Sequence, residues 1–325
     1  MVFEMMKSSD LIYVAGHTGL IGSAMLRRLK MRGFTNLILA TRQDLDLADD
    51  AAVEAFFTLQ KPKFVVLCAG KVGGIIENQT YPADFMNANL SIQLNVFKAA
   101  HRCNVQKLIF FGSSCMYPRE CPQPMAEEAL LTGAPEPTSL PYAISKLAGA
   151  QMCLAYNKQY GDQRFIPVIP NSAYGPNDDF DPKSGHVLSS LIRRLHEATI
   201  RSDDQFVLWG TGTPRREFIH SDDIAEACIA LLVGEVAQLK LPLNIGTGSD
   251  ISIRELAEAI AQVVGFRGEI SQDITKPDGA PRKLLDSARL RSFGWSPKIT
   301  LEAGLKQTYS WYLENIVSGE KAIDR

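Results

Sequence analysis

The stretch VAGHTGLIG at residues 14–22 decides the fold, because it joins a short apolar run to the start of a helical segment. Its three glycines are spaced three apart, which permits a tight turn and a close approach of the backbone to a pyrophosphate. The helix that follows offers free N–H groups and a partial positive charge in its first turn. The stretch therefore predicts a phosphate-binding turn for a dinucleotide, made of Gly16, His17, Thr18, Gly19, Leu20, Ile21 and Gly22.

Short apolar strands alternate with amphipathic helices through the first half of the chain. This alternation is typical of an α/β fold with a doubly wound, Rossmann-like parallel sheet. We predict strands at 11–15, 37–40, 64–68, 107–111 and 165–169, and helices at 23–32, 49–60 and 82–103. Beyond Ala173 the pattern is less regular, with helices predicted at 187–198, 222–232, 253–264 and 301–313 and strands at 206–209, 216–219 and 243–245.

The length of 325 residues allows two domains, at ~150 residues per domain. Residues 1–172 are predicted to form the dinucleotide-binding domain, to which 219–246 return. Residues 173–218 and 247–325 are predicted to form a smaller α/β C-terminal domain that binds the substrate. No flexible linker separates the two, so we expect them to pack together with the chain crossing between them.

Composition excludes several classes of function. Lys and Arg number 34 and Asp and Glu number 36, for a net charge of -2, which argues against nucleic-acid binding and against a polybasic membrane surface. Residues 1–10 lack the apolar core of a signal peptide, and no apolar run reaches the ~18 residues of a membrane helix. The six cysteines form no CxxC pair, so we predict no metal site, reduced thiols and a cytoplasmic location.

Tyr142 and Lys146 lie four residues apart at the start of a predicted helix and therefore share one helix face. An ammonium beside a phenol favours the phenolate, so we expect Lys146 to lower the pKa of Tyr142. Such a phenol can donate a proton to a carbonyl as a hydride arrives. A YxxxK spacing alone is common by chance. The catalytic interpretation of this pair is supported by the glycine-rich turn upstream and by a serine-rich segment at 112–118.

The glycine spacing, GxxGxxG, resembles that of the short-chain dehydrogenase/reductase superfamily. An NAD site would carry an acidic residue after the second strand, and this chain has Ala40-Thr41-Arg42 there. Arg42 suits a 2′-phosphate, so NADP(H) is the predicted cofactor. Asp44 keeps NAD as an alternative, and Arg42 remains open to interpretation as a solvated surface charge.

A more specific resemblance covers about residues 10 to 315. The segments 71–75, 78–85, 112–118, 124–127, 141–146, 209–218 and 276–285 resemble the GDP-L-fucose synthase family. That family is NADP-dependent and acts on GDP-4-keto-6-deoxy-D-mannose as a 3,5-epimerase and 4-reductase. The resemblance implies a reductase triad of Ser113, Tyr142 and Lys146, and an epimerisation acid/base pair of Cys115 and His186.

The resemblance also implies contacts with both ligands and a homodimer formed through the helices that begin near Pro82 and Tyr142. Contacts with the GDP-sugar are implied at Arg194, Trp209, Arg216, Asp278 and Lys283. Cofactor contacts, besides the glycine-rich turn and Arg42, are implied at Asp46, Leu47, Phe111, Gly112, Ser114, Lys146, Pro170, Ser172, Ala173 and His186.

The residue types suit this chemistry. A 4-keto group acidifies the protons at C3 and C5, and inversion needs a base on one face of the carbon and an acid on the other. Thiol and imidazole, with reference pKa values of ~8.5 and ~6.5, bracket neutral pH. Cys115 is two residues beyond Ser113, so on a strand-like segment the two side chains would point to the same side.

Three positions depart from the family pattern: Thr18 where an Arg is frequent, Ser172 where Asn is usual, and Gly70 in place of Ala. Thr18 and Ser172 keep a related GDP-sugar 4-reductase open, of the colitose type or acting on a GDP-6-deoxy-heptose. A non-catalytic dinucleotide sensor is a further alternative, although such proteins usually lose the Tyr–Lys pair that is intact here.

Overall fold

The computed structural model describes residues 6–182, 184–236 and 239–319, without the side chain of Ile75. Residues 1–5 and 320–325 of the predicted domain spans lie outside the described residues. The strands are β1 (Ile12–Ala15), β2 (Leu37–Ile38), β3 (Phe64–Leu67), β4 (Lys107–Phe111), β5 (Phe165–Pro170), β6 (Ser172–Tyr174), β7 (Gln205–Trp209), β8 (Arg215–Arg216), β9 (Phe218–His220), β10 (Leu243–Ile245), β11 (Ile251–Ser252), β12 (Glu269–Asp273) and β13 (Arg282–Lys283). The helices are α1 (Leu20–Met31), α2 (Asp50–Gln60), α3 (Ile75–Thr80), α4 (Pro82–Arg102), α5 (Leu140–Tyr160), α6 (Val187–Arg201), α7 (Ser221–Val233), α8 (Ile253–Val264), α9 (Ala288–Ser292) and α10 (Leu301–Tyr312).

Six strands form one parallel sheet in the order β2-β1-β3-β4-β5-β10. Every residue of β1, β3, β4 and β5 is buried, as expected for strands covered on two faces. The order reverses between β1 and β3, and this reversal leaves a crevice at the carboxyl ends of the strands. The predicted doubly wound α/β fold is confirmed.

Helices cover the two faces of the sheet through separate hydrophobic cores. Met25 and Leu29 of α1 pack with Ile224 of α7 on one face. Phe57 of α2 and Phe97 of α4 pack with α5 on the other. A third core joins α6, α8 and α10 beside β7, and it shares Phe218 with the segment that leads back to the sheet.

The predicted strand at 216–219 is two strands. β8 pairs with β11 and β13, whereas β9 pairs with β6, so the chain changes sheets at Glu217. The fully buried Glu217 carboxylate causes the break, since it accepts hydrogen bonds from Gly248 N at 2.7 Å and Leu285 N at 3.0 Å. It also accepts a hydrogen bond from the side chain of Asn171, directly after β5.

The other predicted elements are present with small changes at their ends, and α1 begins at Leu20 rather than at residue 23. The sequence analysis did not predict α3, α9, β6, β11, β12 or β13. Within the described residues, no helix has the length and apolar character needed to cross a membrane.

Candidate active site

The glycine-rich turn leads from β1 into α1 and is held by close backbone packing. Gly16 has φ +77°, and a Cβ there would lie 2.7 Å from Ala69 N. A Cβ at Gly19 would have Gly16 O at 3.8 Å as its nearest neighbour, so this face of the turn is open. Gly19 is the N-cap of α1 and supplies no side-chain cap, which leaves the first N–H groups of the helix available to an anion.

A cleft of about 570 Å³ lies at the carboxyl edge of the sheet, between this turn and the start of α6. It brings together residues that are far apart in the sequence. Of the predicted site residues it is lined by Gly16, Gly19, Leu20, Ile21, Gly22, Phe111, Gly112, Ser113, Ser114, Cys115, Tyr142, Lys146, Pro170, Ser172, Ala173, His186, Arg216 and Lys283.

Tyr142 meets Ser113 and Cys115 in this cleft. Burial raises the pKa of the Tyr142 phenol well above its usual range, the nearby Cys115 thiol raises it further, and a hydrogen bond with Ser113 acts in the opposite direction. The Tyr142 ring also packs edge-on against Phe85, with the ring centroids 6.3 Å apart. The expectation that Lys146 lowers the pKa of Tyr142 is therefore wrong, because desolvation of the phenol outweighs the hydrogen bond with Ser113, which is what favours the phenolate here.

Lys146 lies one turn further along α5 and is 4% exposed. Its Nζ is 5.9 Å from the centroid of the Tyr142 ring and 5.1 Å from that of Phe110. Burial lowers the pKa of Lys146 to about 8. The ammonium and the phenol share one helix face, as predicted, and each is disfavoured in its charged form by the lack of water around it.

Cys115 lies in a 3-10 turn over Ser114–Met116 rather than on a strand-like segment. The Ser113 side chain causes the turn, since its Oγ accepts a hydrogen bond from Cys115 N at 3.3 Å. The geometry assumed for the two side chains was therefore wrong. The Ser113 hydroxyl and the Cys115 thiol nevertheless line the same cleft, because the tight 3-10 turn brings the two side chains together.

His186 enters the cleft from the N-terminal end of α6, where it occupies the N-cap position without a side-chain cap bond. Its side chain is 61% exposed, and its Nδ1 lies 3.7 Å from Asp178 Oδ1. The adjacent Asp178 carboxylate raises the pKa of His186, against the opposing effect of desolvation, and Asp179 adds a smaller contribution. The imidazole is thus biased towards its protonated form.

Two cations enter the cleft from neighbouring strands. Arg216 of β8 pairs in register with Lys283 of β13, and the residues before them, Arg215 and Arg282, are paired in the same way. Arg215 and Arg282 each form an ion pair with the Asp250 carboxylate, whose side chain is 6% exposed. Strand alternation therefore directs one pair of cations to Asp250 and the other pair into the cleft.

The remaining predicted substrate residues lie outside the cleft lining. Arg194 donates to Val207 O at 2.7 Å and lies 5.2 Å from the centroid of the Trp209 ring, which is 62% exposed. Asp278 accepts hydrogen bonds from Thr211 N at 2.9 Å and Thr211 Oγ1 at 2.7 Å, which ties its loop to the turn after β7. These residues form a surface next to the cleft.

Several predicted cofactor residues also lie outside the lining. Leu47 is buried in the core beside α2, and its carbonyl accepts a hydrogen bond from Asn95 at 3.1 Å. Arg42 and Asp46 are exposed after β2. Two further predicted cofactor residues outside the lining, His17 and Thr18, belong to the glycine-rich turn. The Nδ1 atom of His17 is buried without a hydrogen-bond partner.

Sequence reasoning missed other residues of the cleft, and two groups of them carry charge. Asp178 and Asp179 precede His186 in a polar loop, and the signal that could have found them is their closeness to that histidine. Glu77, on the unpredicted α3, also faces the cleft. The other missed residues near the predicted catalytic groups are Cys68, Gly70, Val72, Gly73, Asn171, Asn177, Ser184, Val187, Leu188 and Phe218.

A second cleft, of about 550 Å³, is formed by the Asp250 region and the loop before α10. It contains none of the predicted catalytic residues, although it shares Arg216 and Phe218 with the first cleft. In the part of the chain that the structure describes, no group of three or more His, Cys, Asp or Glu residues is arranged to hold a metal ion.

Comparison with known proteins agrees with this geometry. Residues 12–246 match the model of the NAD dependent epimerase/dehydratase family, a span that runs from β1 to the end of the six-stranded sheet. The chain belongs to this family.

The chain is also similar, over nearly its whole length, to individual proteins of known activity. The chain is 52% identical to GDP-L-fucose synthase 1 of Arabidopsis thaliana, over 97% of this chain and 97% of that enzyme. It is 49% identical to the GDP-L-fucose synthase of Escherichia coli (strain K12), over 95% and 98%. Among solved structures, a GDP-mannoheptose C4 reductase from Campylobacter jejuni with NADP bound is 40% identical, with a TM-score of 0.85 over 94% of this chain and 99% of that chain.

Proposed function

We propose that this protein converts GDP-4-keto-6-deoxy-D-mannose into GDP-L-fucose with NADPH, by epimerisation at C3 and C5 followed by reduction of the C4 ketone. The observation that carries the proposal is the meeting of the Cys115 thiol, the Ser113 hydroxyl and the Tyr142 phenol in one cleft with Lys146 and His186. The identities of 52% and 49% to two GDP-L-fucose synthases, against 40% to a heptose reductase, favour this substrate over the alternatives.

The glycine-rich turn fits NADP(H). The open face at Gly19 and the uncapped N–H groups at the start of α1 would hold the pyrophosphate. Arg42, exposed after β2, would pair with the 2′-phosphate. When bound, NADPH supplies the hydride that reduces C4.

In the reduction, Ser113 and Tyr142 donate hydrogen bonds to the C4 oxygen, and Tyr142 then gives up its proton to it. The raised pKa of Tyr142 keeps the phenol protonated, and hence able to donate, at neutral pH. The Lys146 ammonium stabilises the phenolate that forms, because in a water-poor site the attraction between the two groups is strong. A buried acid with a nearby cation thus loses its proton only when the substrate accepts it.

In the epimerisation, the Cys115 thiolate takes the proton from C3 or C5, and His186 donates a proton to the other face of the carbon. Ser113 and Tyr142 stabilise the enolate oxygen between these two steps, as oxyanion-hole donors do. Arg216 and Lys283 would bind the diphosphate of the substrate, since guanidinium and ammonium groups are the usual partners of phosphate oxygens. Arg194 and Trp209, beside the cleft, would receive the nucleoside.

The proposal extends to the division into domains, the oligomeric state and the location of the protein. We assign cofactor binding to residues 1–172 and 219–246, and substrate binding to 173–218 and 247–325; the junction at Glu217 and the position of β10 in the main sheet support this division. A homodimer through α4 and α5 is supported by the exposed apolar side chains of Leu94, Leu140 and Ile144. A cytoplasmic location remains a prediction, in keeping with six free cysteines.

The decisive experiment is NMR of the product formed from GDP-4-keto-6-deoxy-D-mannose and NADPH in deuterated water. We expect GDP-L-fucose that carries deuterium at C3 and C5. Reduction with deuterium at one carbon, or at neither, would favour a colitose-type or heptose-type reductase. Absence of turnover with any keto sugar would favour a non-catalytic dinucleotide sensor.

The cofactor assignment has its own test in Arg42→Ala. Loss of a charge-assisted hydrogen bond is worth roughly 1.5–3 kcal/mol, so we expect the dissociation constant of NADPH to rise about tenfold or more while that of NADH hardly changes. Titration of each cofactor into the full-length protein measures the two constants. Equal effects on NADPH and NADH would contradict a contact with the 2′-phosphate.

A further inference from the structure

Asp178 is a nearly buried carboxylate held in a fixed position. Its side chain is 4% exposed, its Oδ1 accepts a hydrogen bond from Asp179 N at 2.9 Å, and its Oδ2 accepts one from Ser189 Oγ. Ser189 is fully buried in the first turn of α6. Asp178 is thus anchored to the same helix end that carries His186.

The His186 ring faces this carboxylate on one side and the cleft on the other. Its backbone belongs to the helix, since its carbonyl accepts Ser190 N at 2.9 Å, but its side chain makes no cap bond and is 61% exposed. The Nδ1–Oδ1 distance of 3.7 Å is an ion-pair separation, longer than a hydrogen bond. With Nδ1 turned towards Asp178, Nε2 is the nitrogen left for the cleft.

We propose that Asp178 is a positioning residue that orients the His186 imidazolium so that Nε2 donates the epimerisation proton. The inference rests on the proposed function and deepens it. A neighbouring carboxylate favours the imidazolium, and Asp178 is the main cause of the raised pKa of His186. The helix N-terminus on its own would favour the neutral ring, so an acidic partner is needed to keep a histidine protonated at this place.

The proton transfers balance without Asp178 changing its charge. The Cys115 thiolate removes a proton from carbon and becomes a thiol, and the electron pair of the broken C–H bond forms the enolate. The enolate carbon then takes a proton from Nε2, which leaves a neutral imidazole. A proton passed from the thiol to the imidazole through solvent restores the starting state.

Several other groups share the cleft with His186 and bear on its titration. Asp179 comes from the same loop, and Val187 and Leu188 from α6 carry no charge. The ionisable groups contributed by the other elements are Cys68 directly after β3, Cys115 from the turn after β4, Tyr142 and Lys146 from α5, Glu77 from α3, Arg216 from β8 and Lys283 from β13. The cations among them oppose protonation of His186, so the contribution of Asp178 must exceed theirs for the ring to act as an acid.

The test compares Asp178→Asn with Asp179→Asn by NMR titration of labelled histidine in the full-length protein, with His186→Asn used to assign the signal. Asp178→Asn keeps the shape and one acceptor for Ser189, so we expect the His186 midpoint to fall by about one pKa unit, which is the effect of losing an adjacent opposite charge. Asp179→Asn removes the same charge from the same loop, but Asp179 accepts from Ser184 Oγ and Asp181 N instead. A much smaller shift is expected there.

An unchanged midpoint in Asp178→Asn, or an equal shift in Asp179→Asn, would overturn the proposal. Ser189→Ala provides a second variant that keeps the carboxylate and releases its anchor; a smaller fall in the same direction is expected, and a rise would count against the proposal. These titrations need no substrate, so their outcome does not depend on whether the proposed function is correct.

A kinetic measurement then links the contact to the reaction. Deuterium uptake at C3 and C5 is followed against pH in the wild type and in Asp178→Asn. The part of the profile that reports loss of the His186 proton should move to lower pH by the shift that NMR measures, whereas in Asp179→Asn it should move much less. An exchange profile that does not move, with the NMR midpoint shifted, would show that Asp178 does not position an acid.

Discussion

The groups assigned to reduction and those assigned to epimerisation are held in different ways. Lys146 is 4% exposed on the long helix α5, and Ser113 lies two residues after a fully buried strand. His186, by contrast, follows an irregular polar loop, and its side chain is 61% exposed. Reduction takes place at one carbon and requires one geometry, whereas epimerisation requires proton transfers at two carbons. The difference indicates that packing fixes the reductase groups and that local hydrogen bonds place the epimerase acid.

The largest effect is expected from Tyr142→Phe, which removes the proposed proton donor for C4 and leaves the packing against Phe85 in place. Loss of a general acid typically costs about 10²–10⁴-fold in rate. Reduction, followed by NADPH absorbance, should fall by this amount, whereas deuterium exchange at C3 and C5 should fall much less, because Ser113 still donates a hydrogen bond to the enolate oxygen. Retention of full reduction would contradict the role of Tyr142 as the acid. An equal loss of both activities would contradict the separation of the reductase groups from the epimerase groups.

Cys115→Ser is the counterpart in the epimerase set. A serine hydroxyl is a far weaker base than a thiolate at neutral pH, so exchange at C3 and C5 should fall by about 10²-fold or more. Reduction of an already epimerised ketone should proceed, because Ser113 and Tyr142 are unchanged. Exchange at the wild-type rate, measured by NMR in deuterated water, would exclude the thiol as the base.

The pH dependence separates the two sets further. Lys146 is charged below its pKa of about 8 and loses its charge above it, so it can stabilise the phenolate only at the lower pH. The kcat/KM for reduction reports the free enzyme and should decline as pH rises through about 8. Lys146→Met should lower kcat/KM about tenfold or more and abolish this decline. A decline that persists in the variant would assign it to another group.

The smallest effect is expected at Asp250, which holds the strands of the two cleft cations and touches neither active set. Asp250→Asn should raise KM for the GDP-sugar a few-fold in both reactions, with little change in kcat, because one buried ion-pair partner of Arg215 and Arg282 is lost. Glu258→Gln is a matched control, since its ion pair with Arg254 is exposed and worth little. A change in kcat of one reaction alone would contradict this indirect role.

The sequence predicted the main sheet because its strands are continuous apolar runs and its helices have clear periodicity. β8, β11 and β13 have two residues each, too few for any period, and their pairing depends on Asp250 and Glu217 rather than on local propensity. α3 has six residues and was missed for the same reason. Short elements fixed by partners far away in the chain leave little local signal.

The candidate site was predicted by residue type and resemblance, but its electrostatics were not. Spacing alone placed Lys146 beside Tyr142, yet the pKa of Tyr142 moves upwards because burial of a phenol depends on the whole fold. The strand-like geometry expected for Ser113 and Cys115 failed because a single serine hydroxyl caps a tight turn. Asp178 was overlooked since a carboxylate in a polar loop ordinarily faces solvent.

The in-register pairing of β8 with β13 makes the charge of the cleft sensitive to chain length. An insertion or deletion of one residue just before Arg282 would turn Lys283 towards Asp250 and direct a different neighbour to the substrate. No residue of these two strands belongs to the three hydrophobic cores, although Leu285, which lies two residues after β13, does. An indel at this point would therefore remove the proposed phosphate contact of Lys283 although the lysine itself is kept.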